Sequence, residues 1–216
     1  MSGENQVSAA VQAEGAAAAG SACRSGVCRQ NLMAQGLARS ATRRGWTYRG
    51  MAVAGIVSAV LGALCLVADP VGRGAIMSVV FLQLHLVCSR AAGLMAAEQG
   101  IQGACARLLP QISGHVAETL LLVALGHAVS VPALGWAAAL AAVLSDHVRV
   151  LGHGAEGSGL MPARHRRIVF AVACLLSPAF GTTGLVHLAG IIIAVGGFLA
   201  CIGHVRAMGS RLQSQI

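Results

Sequence analysis

Few residues in this chain can do chemistry, and most of them fall in three places. Glu118 stands inside the apolar run Ile112–Ser130, and His115 precedes it by one helical turn, so a helix puts both on one face. A carboxylate in such a run is a functional candidate by default, because burying it unpaired is expensive. Glu118 is therefore the candidate catalytic residue. The plainer reading is a carboxyl that reaches the interface or pairs with Arg107 or His115. His115 and Glu118 supply half a metal site at most, and a hydrogen-bonded pair needs no ion, so no metal-ligand set is expected. His85 and Ser89, four residues apart, are polar partners able to line a cavity or simply to bond between helices. The third place is basic: Arg149, then Arg164, His165, Arg166 and Arg167 of "MPARHRR". Arg149, His165 and Arg166 are candidate binding residues, able to hold an anionic group through charge-assisted bonds. The competing reading is topology and attraction to anionic lipid. Arg149 also has Asp146 three residues before it as a pairing partner.

The elements that must position these groups are read from hydropathy. Of 216 residues, 56% are hydrophobic and 10% are charged, against roughly 25% charged in a soluble globule. Six stretches approach the length of about 20 apolar residues needed to cross a bilayer: 47–68, 74–95, 112–130, 132–151, 168–180 and 184–204. The fifth is short and meets "SPAFGTTG", either ending there or running on past Pro178. Strands lack the period-two alternation a barrel needs. All 15 basic residues are arginine, and with the N-terminus inside, only Arg73 falls on the outer side. The expected fold is therefore an all-α integral membrane protein with six transmembrane helices and both termini cytoplasmic. The net charge of +8 belongs to that topology, and 3% aromatics offer no stacking platform, so no nucleic-acid partner is expected. Residues 29–46 read as an interfacial amphipathic helix, with Leu32, Met33, Leu37 and Ala38 on one side and Arg39, Arg43 and Arg44 near headgroups. Residues 1–28 read as a disordered Ala/Gly/Ser-rich tail with no secretory signal, 47–204 as the membrane domain and 205–216 as a cytoplasmic tail. The seven cysteines are scattered, and the pair Cys23 and Cys28 stands alone.

Between the second and third runs, "SRAAG", "AEQG" and "ISGHVAETLLLV" fall without gaps on the slots of a known signature, D-x2-D-G-x2-A-R-x8-G-x3-D-x3-D. The chain resembles the CDP-alcohol phosphatidyltransferases, above all a bacterial branch of them, from about Leu32 onward. The resemblance implies a six-span fold with an interfacial helix, and often a homodimer. It implies transfer of a phosphate-bearing group from a CDP-linked lipid donor to an alcohol, a phospholipid-synthesis reaction in a bacterial inner membrane. In that family carboxylates on two helices hold two divalent ions, Mg²⁺ or Mn²⁺, that grip the donor's diphosphate.

Carried over by position, the four aspartate slots hold Ser89, Ala92, Pro110 and Gly114. Gly93 and Ala96 keep the signature residue, whereas Ala97 and Ala106 stand where the arginine and second glycine belong. Gly93, which keeps the signature glycine, and Ser89, a hydroxyl in an aspartate slot, are the substrate-binding positions the resemblance implies. No aspartate lies between Asp69 and Asp146. The expectation is thus a divergent member with a lost or impaired metal-dependent site and no cofactor, in contact with membrane lipid. Two alternatives stand beside it: an active transferase that uses Glu118, Glu98 and His115 with Mg²⁺ or Mn²⁺, and an unrelated small polytopic transporter.

Overall fold

In the computed structural model, residues 26–99, 104–151 and 161–213 are described, with side-chain surroundings for 32–99, 112–148 and 161–206. The tail expected over 1–28 lies almost wholly outside these residues. Among them the chain forms seven helices and no strand: α1 (Gly26–Arg43), α2 (Tyr48–Ala68), α3 (Arg73–Glu98), α4 (Ala104–Ala128), α5 (Pro132–Leu151), α6 (Ala163–Phe180) and α7 (Gly184–Gln213).

Among the described residues three stretches are long and apolar enough to cross a membrane, Tyr48–Ala68, Arg73–Glu98 and Gly184–Arg206, while the apolar part of α4, Ile112–Ala128, is shorter. The exterior of α2 carries Val53, Val57, Leu61 and Leu64, and that of α7 carries Ile191, Val195, Phe198 and Ile202, all exposed. Contiguous apolar surface on this scale is unfavourable in water and matched to lipid tails. The chain has the make-up of a helical membrane protein.

Helix ends follow local chemistry. Thr47 caps α2, its Oγ1 accepting the Gly50 N–H at 3.2 Å. Asp69 turns the chain into α3 by accepting the N–H groups of Gly72 at 2.8 Å and Gly74 at 3.3 Å. These bonds, led by the one from Gly74, hold its carboxyl below the usual carboxylate range. Pro132 opens α5, where its missing N–H costs nothing. Helix α6 begins five residues earlier than the apolar run suggests and continues through Pro178 to Phe180, ending on Gly181 at φ +62°. The single hydroxyl hydrogen of Ser177 is shared between the carbonyls of Pro70 at 3.1 Å and Thr182 at 3.0 Å, tying the end of α6 to the α2–α3 turn.

Two apolar clusters hold the bundle. The larger joins α2 to α7 through Leu66, Leu82, Leu121, Leu125, Phe170, Val186 and Ile193. Close helix approach depends on missing side chains. A Cβ on Gly126 would lie 2.6 Å from Gly135 Cα, so α4 and α5 meet backbone to backbone. The smaller cluster docks α1 on α2 and α3, with Ala38 and Ala41 against Met51, Ala52, Cys88, Ala91, Ala92 and Met95. The buried face of α1 is Ala34, Ala38 and Ala41, with Leu37 packed at its edge, whereas Leu32 and Met33 are exposed. Of the apolar side read from the sequence, Ala38 and Leu37 therefore meet the bundle, and Leu32 and Met33 lie off it. Small residues decide it, because alanines let α1 lie close to α3, and bulkier Leu32 and Met33 are turned outward.

Candidate functional site

Helices α3, α4, α5 and α6 surround a polar cavity of about 250 Å³. His85, Ser89 and Arg90 come from α3; Gly114, His115 and Glu118 from α4; Asp146 from α5; Ala163 and Arg167 from α6. A narrow apolar recess of about 20 Å³ continues inward past Leu82, Leu121, Leu122 and Phe170. That is room for about one water-sized group.

The wall between α4, α5 and α6 is organised by Arg166. Its guanidinium is buried, with 1% of the residue exposed, yet each of its three nitrogens has a partner. Nε donates to Glu118 Oε1 at 2.7 Å, and Nη2 donates to Asp146 Oδ2 at 2.9 Å. Nη1 donates to Ser145 Oγ at 3.0 Å and to the Met161 carbonyl at 3.3 Å. The planar fork of arginine suits such simultaneous binding of two carboxylates, which a lysine ammonium would not reproduce. Around this core lie weaker contacts. Arg167 Nη2 sits 3.5 Å from the second Glu118 oxygen, and His115 Nδ1 sits 3.6 Å from Asp146 Oδ2. The rings of His115 and His147 lie 6.1 Å apart, and His147 Nδ1 donates to the Val143 carbonyl. Across the cavity His85 Nδ1 donates to the Gly55 carbonyl at 2.9 Å, because a carbonyl can only accept. The other ring nitrogen is left as an acceptor when the ring is neutral.

The structure brings together some sequence candidates and separates others. Glu118, Ser89 and Gly114 line the cavity beside Arg167. Arg166 lines the apolar recess behind it, whereas Arg164 and His165 are exposed on the first turn of α6. Gly93 has open space where a Cβ would be. Ala92 is buried under α1, and Ala97 and Glu98 are exposed at the end of α3. Ala106, Pro110 and Arg107 lie in α4, and Arg149 in α5, at positions whose side chains are outside the described set. Glu118 pairs with Arg166 and Arg167, and Asp146 with Arg166 and His115.

The expected fifth span begins at residue 168 and leaves "ARHRR" before it, so the sequence offers Arg166 as a binding residue and not as the centre of a buried ion pair. The signal was present. Arg166, Phe170, Ala173, Cys174 and Ser177 recur at helical spacing and form the buried face of α6. The run of hydrophobic residues begins only at Ile168, which hid the turn before it.

A pair of divalent ions does not fit this donor set. Of the positions described, Ser89, Ala92 and Gly114 offer one hydroxyl, and both nearby carboxylates already bind a guanidinium. Among the described residues no group of three or more His, Cys, Asp or Glu side chains converges as a metal site. No protein-family model and no curated protein matches the chain.

Proposed function

We propose that this chain is a divergent relative of the CDP-alcohol phosphatidyltransferases, a six-span membrane protein with both ends cytoplasmic, in which metal-dependent transfer has been lost. In this reading the cavity opens toward the cytoplasm and holds the phosphate-bearing headgroup of a membrane lipid without reacting it. The observation that carries the reading is the commitment of Glu118 and Asp146 to one buried arginine. A carboxylate oxygen held by a guanidinium at 2.7 Å has that lone pair engaged and is not aimed at an incoming alcohol. Arg90 and Arg167 at the cavity, with Arg166 behind them, outnumber the two acids and favour an anionic headgroup.

Each residue then has a stated task. Arg167 and His115 face the headgroup as donors, Ser89 adds a hydroxyl, and Arg166 fixes the positions of the acids. The test has two arms on membranes or detergent-purified full chain. Incubation with CDP-diacylglycerol, several alcohols and Mg²⁺ or Mn²⁺ gives no product above control membranes. Calorimetric titration with short-chain phosphatidic acid gives binding that Arg167→Gln weakens. Metal-dependent product that disappears in Glu118→Gln overturns the proposal and favours an active enzyme built on Glu118.

A further inference from the structure

We infer that His85 is a specificity-determining residue of the cavity, its Nε2 accepting a hydrogen bond from a hydroxyl on the bound phosphate ester. The inference rests on the reading of the cavity as a phosphate-binding site and adds what else the occupant carries. The imidazole is buried, with 2% of the residue exposed, and among the described residues only Nδ1 has a hydrogen-bond partner. That nitrogen donates to the Gly55 carbonyl at 2.9 Å, linking α3 to α2 across 30 residues of chain. A missing side chain makes room for the bond, since a Cβ on Gly55 would lie 3.3 Å from His85 Nδ1 and 3.4 Å from Cys88 Cβ. The bond fixes the ring, and because a carbonyl only accepts, it also fixes the hydrogen on Nδ1. Nε2 lies on the side of the ring away from that bond, and His85 lines both the polar cavity and the apolar recess. A buried acceptor thus stands at the seam between the two, held in place from behind.

Its neighbours define what meets it there. Arg90 and Arg167 bring positive charge to the cavity, which disfavours an ammonium group as the donor and leaves a neutral hydroxyl. Glu118 and Asp146 also accept, but both are turned to arginines. Ser89, one turn along α3, brings a hydrogen of its own. The recess beyond His85, walled by Leu82, Leu121, Leu122 and Phe170, has room for about one water-sized group. That suits the end of a short hydroxylated substituent. The occupant is then a phosphate ester with a hydroxyl a few atoms from phosphorus, held at the phosphate by Arg167 and at the hydroxyl by His85. A lipid headgroup and a soluble polyol phosphate share this chemistry.

The test compares ligands that differ in hydroxyl groups alone. Detergent-purified full chain is titrated calorimetrically with short-chain phosphatidylglycerol and short-chain phosphatidylpropanol, both monoanionic phosphodiesters. Glycerol phosphate and propyl phosphate repeat the comparison without acyl chains. Wild type is expected to bind the hydroxylated member of at least one pair about tenfold more tightly, the effect of one buried acceptor left unmet. The pair that shows the preference identifies the source as lipid or soluble ester. Two substitutions divide the roles of the ring. The amide of His85→Asn reaches the place of Nδ1 and can still bond Gly55, but it takes the acceptor out of the cavity. The preference is expected to fall below about twofold there, through weaker binding of the hydroxylated ligand alone. The longer His85→Gln places an amide oxygen near the position of Nε2 and is expected to keep most of the preference. A readout free of substitutions is the nitrogen NMR shift of His85 Nε2, expected to move with the hydroxylated ligand only. Equal binding of both members of each pair in wild type overturns the inference and leaves the phosphate-binding reading standing, as does a preference unchanged in His85→Asn. Failure of all four ligands to bind sinks both.

Discussion

Arg166 and Glu118, 48 residues apart in the chain, meet through a 2.7 Å bond that joins the first turn of α6 to the middle of α4. Both side chains are largely removed from solvent, Arg166 almost completely. Removing one partner of such a pair leaves an uncompensated buried charge, whereas replacing both with apolar groups is far milder. Glu118→Gln is expected to destabilise the protein by about 3 kcal/mol, softened because Asp146 still holds the guanidinium. Arg166→Met combined with Glu118→Leu and Asp146→Leu is expected to recover most of that loss. Thermal or denaturant unfolding in detergent measures both, and the difference from additivity gives the coupling.

Placing aspartate in the slots of the signature the chain resembles separates two kinds of position. Ser89 and Gly114 line the cavity, so Ser89→Asp is expected to change stability by less than about 1 kcal/mol. Ala92 sits under α1 among Ala38, Met51, Cys88 and Met95. A carboxyl there has no partner, and Ala92→Asp is expected to cost more than about 3 kcal/mol or to lift α1 off the bundle. Limited proteolysis near α1, compared between the two variants, distinguishes these outcomes.

Glycines divide in the same way. Gly126 and Gly135 touch across α4 and α5, and an added methyl group at either would strike backbone. Gly126→Ala or Gly135→Ala is expected to cost about 1–3 kcal/mol, because neither helix can yield locally. Gly93→Ala meets nothing within 4 Å, so the entropic gain of alanine in a helix stabilises it by about 0.5–1 kcal/mol. Unfolding midpoints should move in opposite directions.

Arg167 offers a test of ligand binding that leaves the fold alone. Its contact with Glu118 is long, and its side chain is about one-third exposed, so its share of stability is small. Arg167→Gln is expected to weaken phosphatidic acid binding about tenfold, about 1.4 kcal/mol, with little change in melting temperature. Titration calorimetry beside a melting curve reads both quantities.

The Asp69 turn gives a pH dependence with a defined sign. Hydrogen bonds from Gly74 and Gly72 depress its carboxyl from the ordinary value of 3.8. A depressed folded value contributes stability that is fully present above the unfolded value and lost as pH falls through the folded one. Asp69→Ala is therefore expected to melt earlier than wild type at neutral pH, with the gap closing only in acid below 3.8.

Much of the helical layout was legible because apolar runs and their breakers are local signals. Thr47, Pro132 and Gly184 mark starts that the structure reproduces within a residue. Polar helical turns were harder. α3 runs on through Ala96 to Glu98, and α4 begins at Ala104, well before its apolar stretch, because hydropathy says nothing of helix beyond the apolar window. The site was half legible. Glu118 stood out as an acid in an apolar run, and its neighbours in sequence, Arg107 and His115, were natural partners. Its partners among the described residues, Arg166 and Arg167, come from another helix, and such pairing depends on packing that one-dimensional spacing does not contain.

The two polar fastenings of α6 have a mechanical corollary. Arg166 secures one end to α4 and α5, and Ser177, eleven residues on, clasps the carbonyls of Pro70 and Thr182 at the other. A slide of even one residue along its axis, about 1.5 Å, would unseat both fastenings together. Any opening beside α6 is therefore confined to swinging about one anchored end, and whichever end lets go decides on which side of the bundle the gap appears.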